Sequence, residues 1–586
     1  MNRLFAILLL FFLSTPANAQ TIWEPKATVG VTFVRIFWFT DSQANSRVDY
    51  GTTTAYGSND TDASSVYWHY LTITGLSANT TYHFKVTSGS KESGDYTFTT
   101  YANPTGTVHT VGSGKDYTTI SSCASAASAG WTCLVYSGDY NETVSVPSGT
   151  SGNRITFLAQ EPCTVNAFNG ANADYWNVKG FELDGSTAFT VTGATYFLID
   201  NNYAGTSTNR MVYGQIGASP GVEAYKIFYG VISNNVEIGQ DIADTSGGAE
   251  AFYYWGENNL LDNNLIVHQN QDHFYGGGSN NVFRNNVFLK NESGQDDAHH
   301  VDMFQTSGLT SNYSLYENNK CLIMTGSDRH FVLFRDQAAP ACENLILRYN
   351  YNYQVSSYNI GGPGDSAPYA RIYNNTLYNY DSMTNWGIVF AGSSGNGRVF
   401  NNIFYETVND GYYPYYGSSG GDGGYNMAYN VGYSGSWSGS YTSESTYSAY
   451  RNQDPGLSNL PYTTELAGDA FAIDKGGPLT TVSSGCGTST LTLADARWFQ
   501  PGWAGTEADW IAIGTVTNVY QISDITDYAA GTVIFDSAVS CTNGANVWLY
   551  KKSDGTRVLY GSAPDIGASE TIGLSAPEHL TIISVD

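Results

Sequence analysis

Leu261-Asp262-Asn263-Asn264-Leu265, Phe283-Arg284-Asn285-Asn286-Val287 and Tyr373-Asn374-Asn375-Thr376-Leu377 repeat one phrase: a short apolar segment, an Asn-Asn doublet, and a second apolar segment. The asparagines recur as Asn201, Asn234, Asn263, Asn285, Asn318, Asn350, Asn374, Asn401 and Asn430, eight steps that cover 229 residues, about 29 each. A fixed period of this size marks a solenoid in which each repeat is one coil. Asparagine side chains stacked from coil to coil can hydrogen-bond along the axis, which favours Asn at an inward turn. Leucine-rich repeats have a similar period but need a dense Leu-x-x-Leu-x-Leu frame. This chain offers Val, Ile, Phe and Tyr with irregular turns instead, so the repeat reads as a parallel β-helix.

Composition agrees with an all-β chain. At 586 residues one compact globule is excluded, and two or more domains or one long repeat domain are expected. Only 13% of residues are charged, against 63 Gly and 45 Tyr. A net charge of −27, from 25 basic and 52 acidic residues, excludes nucleic acid as the expected partner. Arg3, the apolar run Leu4 to Leu13 and Ala17-Asn18-Ala19 form a secretory leader, residues 1–19. No later apolar run is long enough to span a bilayer. A secreted, monomeric protein is expected, and export permits disulfides. Spacing suggests Cys123–Cys133, Cys321–Cys342 and Cys486–Cys541, leaving Cys163 over.

Residues 21–101 alternate as strands do in Val29-Gly30-Val31-Thr32-Phe33-Val34-Arg35-Ile36 and Tyr82-His83-Phe84-Lys85-Val86. The run Leu76 to Val86 resembles the fibronectin type III signature, with Tyr82 at the tyrosine-corner position, and implies a β-sandwich. From Val111 to Ile120 and through the following Ala/Ser-rich stretch, the chain resembles the N-terminal cap of right-handed parallel β-helices of the pectate-lyase-like superfamily. The expected architecture is therefore all-β: an N-terminal β-sandwich, then a right-handed parallel β-helix over 105–476. Ala472-Ile473-Asp474-Lys475-Gly476 and Ala563-Pro564-Asp565-Ile566-Gly567-Ala568 resemble two pieces of a β-helix closing motif. Between them lies a β-rich insertion, 477–560, and a closing segment and tail follow over 561–586. Residues 411–450, rich in Gly, Ser and Tyr, read as a long loop pinned by aromatics or a sugar-stacking surface.

Chemistry concentrates in three segments, each behind an Asn doublet. They are Asp272-His273-Phe274-Tyr275, His299-His300-Val301-Asp302-Met303-Phe304-Gln305 and Arg329-His330-Phe331-Val332-Leu333-Phe334-Arg335-Asp336. His273, His300 and His330 are 27 and 30 residues apart, close to the coil period, and are expected to stack as a column. Strand alternation puts Val301 and Met303 inside and His300 and Asp302 outside. The same register sets His330 beside His300 and makes Gln305 and Arg335 neighbours. The candidate catalytic groups are His300, Asp302, His330, Arg335, His273, Asp272 and Asp336. Candidate substrate contacts are Arg329, Gln305 and His299, with Glu250 and Glu257 one coil earlier and Arg371 and Asp365 one coil later. Asp296 and Asp297 are candidate calcium ligands, since hard oxygen donors suit that ion; no other cofactor is indicated.

Two reactions suit such a face. In β-elimination an arginine or calcium neutralises a uronate carboxylate while a histidine removes the C5 proton. In hydrolysis two carboxylates, drawn from Asp272, Asp302 and Asp336 on successive coils, flank the glycosidic bond. The resemblance implies a polysaccharide substrate. The polygalacturonase and alginate-epimerase signatures are not in the sequence. His300-Val301-Asp302-Met303-Phe304-Gln305 resembles a His-Val-Asp-Gly-Ile-Gln motif of bacterial β-helix proteins. A polysaccharide lyase is the first expectation, an endo-acting glycoside hydrolase the second, and a non-catalytic glycan-binding β-helix the third.

Overall fold

Three short strands make one coil, and the next coil repeats them in register. Leu260–Asp262, Leu265–Val267 and Phe274–Gly277 are followed by Val282–Arg284, Val287–Asn291 and Phe304–Ser307, then by Leu315–Glu317, Lys320–Thr325 and His330–Arg335. Each strand pairs in parallel with its counterpart one coil on: Leu261 with Phe283, Ile266 with Phe288, Phe274 with Phe304. The computed structural model describes residues 21–571 apart from 206–209, 215–224, 240–249, 268–271, 292–301, 308–311, 326–329, 336–343, 354–356, 361–368, 381–385, 391–396, 408–412, 418–421, 430–453 and 459–464. The leader, Cys342, Asp296, Asp297, His299, His300, Arg329, Asp336 and Asp365 lie outside the described residues. The chain is nearly all β, a parallel β-solenoid with a β-rich region near its C-terminal end. Among the described residues its first sheet holds thirteen strands.

The Asn doublet divides two tasks between its members. The first residue of each takes left-handed backbone, φ between 53° and 57°, at Asn201, Asn234, Asn263, Asn285, Asn318, Tyr349, Asn374, Asn401 and Tyr425. Asn tolerates this conformation better than other residues with a side chain. The second residue is buried and forms the ladder: Asn202, Asn235, Asn264, Asn286, Asn319, Asn350, Asn375, Asn402 and Asn426 are linked by side-chain bonds of 2.9–3.1 Å. Each Oδ1 also accepts the backbone N–H of the previous rung, as Asn286 Oδ1 does from Asn264 N at 3.0 Å. The rung after Asn402 is therefore Asn426, with a left-handed Tyr425 in place of the first Asn; Asn430 lies outside the described residues.

Removing one rung leaves buried amide and carbonyl groups without partners. Asn286→Ala strips Asn264 N and Leu261 O of theirs. At about 1–3 kcal/mol for each buried group left unsatisfied, the expected loss of stability is about 2–6 kcal/mol. Denaturant unfolding reads it directly. Unfolding at the wild-type midpoint would remove the ladder from the list of stabilising elements.

The chain divides after Asn103. In the N-terminal unit Phe33–Gly51 is the long central strand, antiparallel to Ile22–Val29, Ser58–Thr74 and Thr81–Ser88. Its core holds Val34, Ile36, Trp38, Val48, Phe84 and Val86. Ser77 N donates to the Tyr82 hydroxyl at 3.0 Å, locally the geometry of a tyrosine corner.

The second unit starts with Thr107–Val111 and a short helix, Ile120–Ala126, N-capped by Thr119. The Glu142 carboxylate accepts from Ile120 N (2.7 Å) and Ser121 N (3.2 Å), satisfying helix donors that have no partner inside the helix. Ile120, Cys123 and Ala124 are its buried residues, and Cys123 is bridged to Cys133. At the other end Gly476 N donates to Pro564 O at 2.8 Å and Ile566 N to Ala472 O at 3.1 Å. Ile566 and Ala472 pack with Ile403 and Met427.

Between those two segments the chain forms a seven-stranded antiparallel sheet carrying the Cys486–Cys541 bridge. It shares a core with the solenoid's first sheet, where Val282, Leu315, Ile346 and Tyr373 meet Leu491, Trp498, Ile511 and Val533. A buried ion cluster fastens the two. Arg348 donates to Glu317 (2.6 Å) on its own sheet and through both Nη atoms to Asp509 (2.8 Å each), with all three side chains fully buried. Glu317 in turn accepts from Ser553, and Asp509 from Gln500.

Two expectations need correction. Cys321 is not bridged to Cys342: it is a buried cysteine outside any disulfide, on a core-facing position beside Phe288, and burial holds its thiol well above the ordinary range. Within residues 411–450, expected as one long loop, the described residues include three strands: Tyr413–Gly417 ends one coil, and Asp422–Gly424 and Met427–Tyr429 begin the next.

Candidate functional site

The third strand of each coil carries the candidate ionisable groups, and its register is fixed by apolar pairs. Phe252 pairs with Phe274, Phe274 with Phe304, and Phe304 with Val332. Counting back from those pairs, Asp302 sits over Asp272 and His330 over Asp302, with steps of 30 and 28 residues. Histidine spacings of 27 and 30 cannot fit that register. The expected histidine column is therefore an Asp272–Asp302–His330 column. His273 belongs to the inward column with Met303 and Phe331, all fully buried, and its ring packs edge-on against Phe288 at 5.3 Å.

Each side chain in the observed column holds the next. Asp302 N donates to Asp272 Oδ1 at 2.8 Å. His330 N donates to Asp302 Oδ1 at 3.1 Å, and its Nδ1 lies 2.8 Å from the same oxygen. With its amide nitrogen turned to the carboxylates, the orientation that sets donor against acceptor, Gln305 donates to Asp272 Oδ2 (2.5 Å) and Asp302 Oδ2 (3.3 Å). Asp302 is fully buried, Asp272 and His330 nearly so. His330 Nε2 has no hydrogen-bond partner among the described residues. An imidazole anchored through Nδ1 by a carboxylate has its tautomer fixed, with Nε2 left to exchange a proton.

The same face continues toward the N-terminal coils. Glu250 stands two residues before Phe252, as Asp272 stands before Phe274, and it pairs with Arg210 at 2.9 Å. Beside this charged column runs a row of stacked tyrosines. Tyr213 and Tyr253 lie 5.6 Å apart and Tyr253 and Tyr275 5.5 Å apart, with planes within 11°. Arg210 lies over the first two rings, at 5.2 and 5.1 Å. Burial, then the Glu250 charge, raises the Tyr253 phenol. Tyr275 pairs with Gln305, so the row leads to the carboxylates. The tyrosine row and Arg210 escaped the sequence reading; their signal is the repeated apolar-Tyr dipeptide Val212-Tyr213, Phe252-Tyr253, Phe274-Tyr275.

Other candidates fall elsewhere. Gln305 pairs with Leu333 and not with Arg335, whose partner is Ser307, two positions along. Glu257 is bound to Lys226 at 2.8 Å, and Lys226 lies over Trp255. Arg371 is on the first sheet, buried and paired with Asp495 of the C-terminal region, away from the third-strand face. Among the described residues no group of three or more His, Cys, Asp or Glu side chains is set to hold a metal. Among those same residues no helix is long and apolar enough to cross a membrane.

Fold and site together define the class: a parallel β-solenoid bearing an acid-imidazole column and an aromatic row on one sheet. No protein-family profile matches the chain. The uncharacterized protein YwoF of Bacillus subtilis (strain 168) is 30% identical over 115 residues, 18% of this chain. The chain spans only about a quarter (24%) of that relative's length. Among solved structures, the pectate lyase Pel9A is similar over 64% of this chain and 92% of its own, at 14% identity and TM-score 0.34. A PL6 family polysaccharide lyase from Pseudopedobacter saltans is similar over 54% and 85%, at 12% identity and TM-score 0.32. A family 28 exopolygalacturonase of Yersinia enterocolitica is similar over 68% and 97%, at 11% identity and TM-score 0.21.

Proposed function

We propose that this chain is a secreted polysaccharide-degrading enzyme that cleaves a uronate-containing glycan by β-elimination. The leader-like residues 1–19 and the two disulfides support export. The observation that carries the reaction is the Asp302–His330 pair, an imidazole oriented through Nδ1 whose buried Nε2 has no hydrogen-bond partner among the described residues. His330 Nε2 takes the proton from C5 of the uronate. The electron pair forms the C4–C5 double bond, the C4–O bond breaks, and the imidazolium returns its proton to the departing oxygen. Asp302 offsets the transient imidazolium charge. Arg335, on the strand that starts with His330, and Arg329 just before it are the proposed partners of the substrate carboxylate. The tyrosine row supplies apolar faces and edges for neighbouring sugar rings.

Hydrolysis is the second reading, favoured by one specific contact. Asp272 and Asp302 both reach the Gln305 amide, so two carboxylates stand close on adjacent coils. A retaining glycosidase needs a pair about 5–5.5 Å apart. The product separates the readings. Elimination yields a conjugated unsaturated uronate that absorbs in the ultraviolet, in step with new reducing ends, on at least one of pectate, alginate, glycosaminoglycan or sulfated algal glycan. Reducing ends without that absorbance would replace the lyase by the hydrolase.

A further inference from the structure

Four neighbouring strands of the N-terminal unit turn one set of side chains into its core and the alternate set toward a cavity of about 560 Å³. Val48, Phe84 and Val86 belong to the core. The residues that alternate with them face the other way, as strand geometry requires. Register sets these side by side: Asp49 pairs with Asn59 on one neighbour and Lys85 on the other, and Arg47 pairs with Thr87, which pairs in turn with Glu92. All six line the cavity. Its volume falls within the about 300–1,000 Å³ usual for small-molecule sites.

The charges on this wall cancel. Arg47 donates to Asp49 through Nε at 3.0 Å, and Lys85 donates to Glu92 at 2.8 Å. In a chain with 25 basic and 52 acidic residues, two cations matched by two anions form a locally balanced patch. Such a wall has no net charge with which to draw in an ion. Each pair instead sets N–H donors beside carboxylate acceptors. Neighbouring hydroxyls of a sugar both donate and accept, so they match that arrangement.

Tyr56 adds an aromatic ring to the same wall, and the backbone is adapted to put it there. It lies in the turn from Phe33–Gly51 to Ser58–Thr74, with φ at 60°, a left-handed region that bulky side chains avoid. Gly57 follows at φ 97°, and a Cβ on Gly51 would stand 1.6 Å from Tyr56 O. In the solenoid the left-handed residues of the doublets set up the Asn ladder; Tyr56 belongs to no such repeat. Its hydroxyl donates to Asp95 Oδ1 at 3.1 Å, Asp95 Oδ2 lies 2.8 Å from His83 Nδ1, and Lys85 Nζ lies 5.6 Å from the ring centre. Backbone strain of this kind clusters where side chains meet ligands.

We propose that this cavity binds one uncharged sugar residue, its hydroxyls held by the Arg47–Asp49 and Lys85–Glu92 pairs and its C–H surface set against the Tyr56 ring. It gives the N-terminal unit a grip on uncharged parts of a glycan, separate from the Asp302–His330 column of the second unit. The choice of a sugar among small neutral polyols rests on the activity proposed above.

Calorimetric titration of the full chain with glucose, galactose, mannose and the uronate of each tests it. At least one neutral sugar should bind, its uronate should bind at least threefold more weakly, and added salt should leave the neutral sugar's affinity within twofold. Tyr56→Gly removes the ring while suiting the left-handed backbone, and should lose at least tenfold. If that variant does not fold, Asn59→Arg, an exposed substitution that crowds the cavity, should show the same loss. His330→Ala should keep the binding. Tyr56-dependent binding by a protein inactive on every glycan would sink the proposed reaction while supporting the site. Binding of none of the three neutral sugars, a uronate bound as tightly as its neutral sugar, binding that salt abolishes, loss of binding in His330→Ala, or full binding by a folded Tyr56→Gly or Asn59→Arg would overturn the proposal.

Discussion

Replacing His330 by Ala is expected to lower turnover of the cleaved glycan by roughly 10²–10⁴-fold, the usual contribution of one positioned acid-base group. The loss should fall on kcat far more than on KM, because in the proposed reaction His330 acts on the proton in flight rather than on the resting sugar. Asp302→Asn tests the orientation argument separately. An amide can still accept from His330 N, but it cannot offset an imidazolium, so activity should again drop steeply while the coil keeps its shape. His273 is the discriminating control. It packs inward against Phe288, and His273→Phe is expected to retain most activity while shifting stability. A His273 variant as inactive as His330→Ala, in a folded protein, would restore the histidine column and displace the Asp272–Asp302–His330 arrangement.

Arg348→Ala is expected to cost about 3–5 kcal/mol, because it leaves two buried carboxylates, Glu317 and Asp509, without their counter-ion. Burial already raises Asp509, with Arg348 pulling the other way; removal of the arginine drives it further up, toward its neutral form. The C-terminal region should loosen before the solenoid does, which limited proteolysis of residues 477–560 would report as early cleavage. The triple change Arg348→Met, Glu317→Leu, Asp509→Leu should recover part of the loss, since a well-packed apolar set often replaces a buried ion cluster at little cost. If Arg348→Ala unfolds like the wild type, the cluster is not what joins the two parts.

The solenoid was legible because its signal is local. An Asn doublet supplies a left-handed residue and an inward amide at once, and both requirements recur in every coil. The segments that carry the candidate column were legible, but its register was not. The segments between the doublets and the third strands differ in length from coil to coil, so counting from one histidine to the next mixes inward and outward positions. Counting from the apolar-polar pairs Phe274-Tyr275 and Phe304-Gln305 gives the observed alignment. Arg371 was misplaced for a related reason. It stands three residues before Asn374, on the strand that precedes a doublet, and every such strand belongs to the first sheet. The pairing of Arg348 with Asp509 spans 161 residues and leaves no trace in spacing. Cys321 shows the same limit: a Cys on a core-facing strand position is a small apolar residue first, whatever its distance from another Cys.

The closing contacts of the last coils set an order of events on the maturing chain. Asn401 is held by Gly477 on one side of the seven-stranded region and by Gly567 on the other, and Asn374 reaches Asp565. A chain emerging N-terminus first can stack coil upon coil, each new strand finding the edge of the one before. Residues 564–567, which close on the coils at Asn374 and Asn401, follow only after residues 478–560 have emerged and can complete their antiparallel sheet. Until then those coils lack these contacts, and the disulfide inside the intervening sheet, Cys486–Cys541, bears on how long that interval lasts.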